Sequence, residues 1–266
     1  MTAKRNGDRG HADLWCALTS PGVIMDVSGH ALLGAPDTES PPAATRQFFE
    51  LFGGGPLPDA EGLDDATESI AAAAGQVIFD RGIEHPYVYV VLTGSVKLLA
   101  VDERGSEHLV GLARAGELVA SVGALAPEGL ARYVDEDLLG GEWSAGSGMG
   151  NTDVRAVAIR PCTLERVDFR VVHAKMREHG GTWAVAVFNA ALHYALVEEH
   201  RARQFLMLSA EDRYRHFLKR YPDLVGVLPQ KDIGNYVGVT PVGISRIAAR
   251  VRDEDHRAVT HANAPQ

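Results

Sequence analysis

Residues 230–252 read QKDIGNYVGVTPVGISRIAARVR, and their types and spacing suit the reading of a DNA groove. Ile233, Tyr236 and Val237 fall on one helical face. Gly238 can take the left-handed conformation that ends a helix and turns the chain. Thr240 can cap a second helix, and Pro241 fits its first turn, where no backbone N–H is needed. Ile244, Ile247 and Val251 then face inward and leave Ser245, Arg246 and Arg250 outward. A short helix, a glycine turn and a second helix with outward Arg is the pattern of a DNA-reading helix-turn-helix. A small helical hairpin without DNA has the same pattern. In the DNA reading the second helix starts at Thr240-Pro241 and points Val242, Ser245 and Arg246 at base edges. Gln230 and Lys231, at the start of the preceding helix, hold phosphates with the help of that helix's dipole.

Other chemistries find little support. The chain has two cysteines, Cys16 and Cys162, far apart. That excludes a disulfide scaffold, a four-cysteine zinc site and a four-cysteine iron–sulfur cluster. An enzyme of the cupin type needs clustered His and carboxylate ligands, and the strand-like segments offer His108 without a His-x-His. No Gly-rich phosphate loop, Gly-x-Ser-x-Gly or His-Glu-x-x-His occurs. His85, His108, Cys162 and His173 show no spacing that marks a haem site, and no catalytic residue, metal site or cofactor is expected. The alternatives to a regulator are a cupin-type β-barrel enzyme and a binding-only module that has lost DNA recognition.

The 266 residues suit two modest domains or one large one. The net charge of −9 is unevenly spread. Residues 209–252 carry eight Lys and Arg against four acids, so an acidic body precedes a basic segment. No apolar run reaches the ~18 residues of a membrane span, and the start, MTAKRNGDRGHADLW, lacks the apolar stretch of a signal peptide. A reducing cytoplasm is the expected location, with no membrane contact.

Residues 1–45 mix Gly, Pro, Ser, Thr and Asp and are expected to form a flexible extension. RQFFELF, residues 46–52, suits a short helix. From Gly75, short β-branched runs such as GQVIFDRG, YVYVVLTGSVKLLAVDERGSEHLVGL and VRAVAIRPCTLERVDF alternate with tight-turn signals. They predict an antiparallel barrel, roll or sandwich. Residues 126–150 hold six glycines and interrupt it as a loop insertion. Residues 182–208 predict one long helix, and its first half, WAVAVFNAALHYALV, is apolar nearly all round. Such a helix needs two partners, its own β-domain and the same helix of a second copy. Val187, Ala191, Tyr194 and Val197 are the expected dimer contacts; a single buried core helix would show the same periodicity. Ser209 then caps a helix over AEDRYRHFLKRY, with Asp212 three residues on.

At this point GQVIFDRG…YVYVVLTGSVKLL…RAGELV, the long helix and LPQKDIGNYVGVTPVGISRI resemble the Crp/Fnr family of bacterial transcription regulators. The likeness spans about residues 46–252, and DIGNYVGVTPVGISR is its strongest part. Gly75, Gly82, Gly94 and Gly116 fall where that family's β-roll turns. The resemblance implies an α+β chain: a cyclic-nucleotide-binding-type β-roll over 46–181, a dimerisation helix over 182–208, a winged helix-turn-helix over 209–258 and a tail over 259–266. It also implies a homodimer on a pseudo-palindromic DNA operator, a small-molecule effector, and RNA polymerase as a further partner.

Two departures from the family pattern matter. Cyclic-nucleotide-binding members carry Gly-Glu followed, after a loop, by Arg and a small hydroxyl residue; Glu holds ribose and Arg neutralises phosphate. The matching stretch here is AGELVASVGAL, with Ala120 and Ser121 in place of Gly-Glu, and Thr152 and Asp153 in place of the later pair. The expected effector pocket thus contains Gly116, Val119, Ala120, Ser121, Thr152 and Asp153. A carboxylate stands where an anionic phosphate would lie, and Arg155 is out of register, so cyclic AMP is not the expected effector. In the recognition helix, Val242 replaces a common Glu and can meet a thymine methyl instead. Gly243 costs about 1 kcal/mol of helix propensity relative to Ala. Ser245 and Arg246 match the family's base-reading pair, with Arg246 suited to a bidentate contact to guanine; a phosphate contact or salt bridge is the plainer role for it.

Overall fold

The computed structural model describes residues 43–102, 104–125 and 151–262. The expected extension up to residue 42 and the expected 126–150 insertion lie outside the described residues. The first helix, α1 (Ala44–Gly53), buries Phe48 and Phe49 and ends at Gly54 in the left-handed conformation. A short helix, α2 (Glu61–Asp65), leads into the strands.

Eight strands follow: β1 (Glu68–Ala72), β2 (Val77–Phe79), β3 (Tyr87–Thr93), β4 (Ser95–Val101), β5 (Glu107–Arg114), β6 (Leu118–Val119), β7 (Arg155–Ala158) and β8 (Cys162–Asp168). They form two four-stranded antiparallel sheets, in the orders β1-β8-β3-β6 and β2-β7-β4-β5. Phe79, Tyr89, Val91, Val96, Ala113, Ala156 and Leu164 fill the space between them. The run YVYVVLT is buried along four consecutive positions of β3 because its other face is covered by α1 and the helices after β8. A strand buried on both faces reads as a continuous apolar run rather than an alternation. Gly94 joins β3 to β4 at φ 82°, and a Cβ there would lie 2.4 Å from the Pro161 carbonyl oxygen and 2.7 Å from Cys162 Cβ.

The helices after β8 are α3 (Phe169–His179), α4 (Gly181–Met207), α5 (Ala210–Arg220), α6 (Gln230–Val237) and α7 (Pro241–Ala262). The Asp168 side chain caps α3, and Ser209 caps α5 through the Asp212 N–H. One face of α4 seals the helical side of the roll: Trp183 and Ala186 are fully buried among Phe49, Val88, Val90 and Val172. The Trp183 indole N–H donates to the Pro58 carbonyl at 2.8 Å.

The C-terminal helices do not hang free of the roll. Leu99, Leu109 and Val157, on the outer face of the second sheet, share one core with Tyr214, Phe217, Tyr221, Leu224, Ile233 and Ile244. Fully burying each large side chain stabilises this joint by about 1.5–3 kcal/mol. Polar contacts fix its orientation. Lys97 pairs with Asp232 at 2.8 Å, and Asn235 donates to the Glu107 carbonyl at 3.3 Å. Arg201 donates to the Val110 carbonyl and lies 4.7 Å from the Tyr236 ring centre. At the centre, the buried Glu117 carboxylate accepts from Arg220 at 3.0 Å and lies 3.7 Å from Arg114. Arg114 and Arg220 stand 5.0 and 5.3 Å from the centre of the Tyr221 ring. Burial pushes the Glu117 carboxyl above the usual carboxylate range against the pull of Arg220 and Arg114. Burial likewise holds the Tyr221 phenol protonated far above its ordinary value.

The expected winged domain is corrected in one respect. Among the described residues no strand follows β8, and α7 continues unbroken to Ala262. The segment AARVRDEDHRAV contains no Gly or Pro that would stop the helix and start a hairpin.

Two stability measurements check this architecture. Gly94→Ala is expected to cost about 2–4 kcal/mol in urea denaturation, from left-handed strain plus overpacking; an unchanged midpoint would contradict the packing of that turn. Arg220→Ala leaves Glu117 buried with a weakened partner set and is expected to cost about 2–4 kcal/mol. A loss within about 0.5 kcal/mol, the range of an ordinary surface change, would remove Glu117 from the joint.

Candidate nucleic-acid interface and effector pocket

The segment 230–252 forms two helices with a short turn between them, and each of its special residues has a visible physical task. Gly238 closes α6 at φ 72°, and its N–H returns to the Asn235 and Gly234 carbonyls. A Cβ at this position would also lie 2.6 Å from the Phe205 ring, so two constraints exclude a side chain. Gly234 lets α6 and α7 approach, since a Cβ there would lie 3.1 Å from Ile244. Thr240 caps α7: its Oγ1 accepts from Gly243 N–H at 3.2 Å, and its carbonyl accepts from Ile244 N–H at 2.9 Å. Ile233, Val237, Ile244, Ile247 and Val251 are all buried. Arg213 braces the unit, donating to the Val237 carbonyl at 2.8 Å and the Leu208 carbonyl at 2.7 Å.

The outward residues form one face. Val242 is 61% exposed, although an apolar side chain at a helix start gains nothing from water. Ser245 and Arg246 are exposed beside it, as are Gln230, Lys231 and Thr240. Ser245 Oγ donates to the Pro241 carbonyl at 3.0 Å and to Gln230 Oε1 at 3.3 Å, which ties the starts of the two helices together. Arg250 is placed differently from Arg246. It pairs with Glu211 of α5 at 2.9 Å, so its charge is partly spent inside the domain.

The expected effector residues also come together, but around an internal contact. Ser121 is buried and Thr152 fully so. Ser121 Oγ donates to Asp153 Oδ1 at 2.5 Å, and the Asp153 N–H donates back to Ser121 Oγ at 3.1 Å. Thr152 Oγ1 donates to the Asp80 carbonyl at 2.5 Å and accepts from the Ile83 N–H at 3.2 Å. Val119 is buried, Ala120 packs partly against the Phe49–Trp183 core, and Gly116 occupies the turn before β6 at φ 84°. Arg155 points elsewhere: Nε lies 2.7 Å from Asp80 and Nη1 2.6 Å from Glu107. Asp153 therefore has a hydroxyl partner in Ser121, while the Arg155 guanidinium is held by Asp80 and Glu107.

The other candidate sensor groups are each absorbed locally. His108 lies 2.8 Å from Asp102 in the β4–β5 turn. His85 meets the Tyr89 hydroxyl at 2.7 Å, and burial lowers its pKa. Burial also lowers His173, whose ring meets Phe169 edge-on. Cys162 is a buried free thiol pushed up by desolvation. Asp59, Glu178 and His179 bring ligand atoms within 4.8 Å of one another, but Asp59 is already paired with Lys175.

Of the four expected partner-facing residues of α4, two are open to solvent and two are covered in part. Val187 packs against its own core. Val197 is half-buried, and Tyr194 and Ala191 are exposed. Val185, Phe188, Leu192 and Leu196 are exposed apolar residues of the same helix, as Tyr194 is. A helix apolar on all sides supports several stripes of the same spacing, and only the position of the roll selects between them.

A sequence profile of the cyclic nucleotide-binding domain matches residues 70–134. No curated protein matches the chain. Among solved structures, FixK2 from Bradyrhizobium japonicum is similar at 17% identity and a TM-score of 0.51, over 71% of this chain and 86% of that one. CLP, a c-di-GMP responsive global regulator of Xanthomonas campestris, is similar at 14% identity and a TM-score of 0.52, over 74% of this chain and 93% of that one. A CooA mutant from Carboxydothermus hydrogenoformans is similar at 12% identity and a TM-score of 0.51, over 77% and 84%. The described chain, with a β-roll matched in part by the cyclic nucleotide-binding profile, a long helix and a C-terminal helix-turn-helix, has the fold of the Crp/Fnr regulators.

Proposed function

We propose that this chain is a homodimeric, sequence-specific DNA-binding transcription regulator of the Crp/Fnr type. The observation that carries this reading is the exposed face of α7, where Val242, Ser245 and Arg246 stand together above a fully packed inner face. A helix that buries its Ile positions and exposes a valine and an arginine at its start suits the major groove, where methyl groups and guanine edges are presented. Gln230 and Lys231 flank it at the N-terminus of α6, where the helix dipole favours phosphate. The chain acts by binding rather than by catalysis, in the cytoplasm, where RNA polymerase is its further partner.

Cyclic AMP is not its effector. Asp153 accepts a hydrogen bond from Ser121 where the family resemblance puts the phosphate, and a half-buried carboxylate with no cation beside it among the described residues opposes an anionic phosphate. The pocket supports an effector of other chemistry, or a roll that works without one.

Two substitutions separate base reading from backbone contact. Arg246→Ala is expected to weaken binding to the preferred duplex by about 1–3 kcal/mol and to relax the preference at one base pair per half-site. Lys231→Ala is expected to weaken all sequences alike and to lower the slope of affinity against salt by about 1. Fluorescence anisotropy titrations at several salt concentrations read both. An Arg246→Ala chain that binds every sequence as tightly as the parent would displace the recognition face from α7. Calorimetric titration with cyclic AMP is expected to show no saturable heat, and the triple change Ser121→Glu, Thr152→Arg, Asp153→Ser to restore binding. A micromolar dissociation constant for the parent would contradict the reading of the pocket.

A further inference from the structure

Arg246 and Arg250 stand one turn apart on the exposed face of α7, about 6 Å apart along its axis. With the start of α7 turned to base edges, its next turn passes the phosphates that wall the groove. The Arg250 side chain is 60% exposed at that level, yet its guanidinium already has an anion. Nη1 donates to Glu211 Oε2 at 2.9 Å, in the first turn of α5.

Glu211 is held where it stands. Its other carboxylate oxygen accepts from Arg215, one turn on in α5, at 3.2 Å. Arg215 also donates to Glu254 of α7. These four side chains alternate in charge and sum to zero, so together they present no net positive charge to a duplex. The Glu211 side chain is half-buried, and the N-terminal dipole of α5 favours a carboxylate there. An approaching phosphate then meets one of two situations. Arg250 stays with Glu211 and the phosphate gains no cation, or Arg250 turns to the phosphate and leaves a carboxylate beside it. Both reduce the affinity that a free arginine would give.

We infer that Glu211 limits the affinity of this chain for the DNA backbone by holding Arg250, so that binding rests on the start of α7. Glu211 acts through Arg250 and is a positioning residue. The inference rests on the regulator reading above and adds what restrains binding to any duplex. Backbone contacts supply affinity that all sequences share, and a carboxylate fixed on the flank of the recognition helix subtracts from that shared part.

Anisotropy titrations of the full chain over a salt series test this with two probes: a duplex that the parent selects from a random pool, and a mixed-sequence duplex of the same length. Glu211→Gln is expected to tighten binding to both. It is expected to steepen the dependence of affinity on salt by about 0.9, the release from one added phosphate contact, so that its gain over the parent grows about eightfold per tenfold dilution of salt. Arg250→Ala is expected to remove that added slope from the Glu211→Gln chain and to change the parent's slope by clearly less. A pair that only braced α5 against α7 would shift the urea midpoint and leave the salt slope alone. Exposed ion pairs add little to folding, so midpoints near the parent's are expected; Glu211→Ala repeats the test without a side-chain amide to hold Arg250. Glu211 variants that keep the parent's salt slope overturn the inference. So does an Arg250→Ala change that lowers the slope equally in both backgrounds, and so does one that removes the full 0.9 or so from the parent, which needs no variant at Glu211. A parent that binds no duplex at low salt overturns the regulator reading itself.

Discussion

The architecture depends on the buried joint between the outer face of the β4–β5 sheet and the C-terminal helices. Without it, Leu99, Leu109 and Val157 would face water on one side, and Tyr221, Phe217 and Ile233 on the other. The apolar contact supplies affinity between the two parts but little direction. Direction comes from the bonds around it: Lys97 to Asp232, Asn235 to the Glu107 backbone, and Glu117 between two guanidiniums. A buried carboxylate is unfavourable unless its partners are held in place, so it tolerates one arrangement and penalises the others. The orientation of α6, and through it of the exposed face of α7, is thereby set by residues of the roll.

This arrangement gives a physical route between the Ser121–Asp153 contact and the exposed face of α7. Glu117 lies in the turn that begins at Gly116 and leads through Val119 to Ser121. The same short stretch therefore carries the bridge to α5 at one end and the hydrogen bond to Asp153 at the other. A ligand that altered the Ser121–Asp153 contact would act on the segment that holds Arg220. The long helix α4 offers a second route, since Arg201 binds the β5 backbone and stacks on Tyr236 of α6, while Phe205 fills the space above Gly238.

How much of this is legible in the sequence follows the range of each constraint. The helix-turn-helix is legible because its determinants are local: a left-handed Gly238, a Thr-Pro start and an inward set at three- and four-residue spacing. The antiparallel strands are legible because turn residues punctuate β-branched runs. The loss of the phosphate-binding arginine at Thr152 and the carboxylate at Asp153 can be read from a resemblance, but not that Asp153 bonds to Ser121. The joint is not legible, because Glu117 and Arg220 are 103 positions apart and neither sits in a pattern. The partner face of α4 is left open by the sequence for a related reason. Its apolar residues surround the helix, so periodicity admits both the Val187–Tyr194 stripe and the Val185–Leu192 stripe, and the roll covers only Val187 of the first. The wing is expected from the family likeness alone, while the residues after Arg250 have ordinary helix-forming character.

The central claim is that the face made by Val242, Ser245 and Arg246 reads duplex sequence. Its most direct test is selection of bound duplexes from a random pool by the purified full chain. The account predicts enrichment of one pseudo-palindrome whose half-sites lie about one helical turn apart, with a guanine and a thymine in each half-site. Recovery of a pool as random as the input, or of a site without two-fold symmetry, would contradict it.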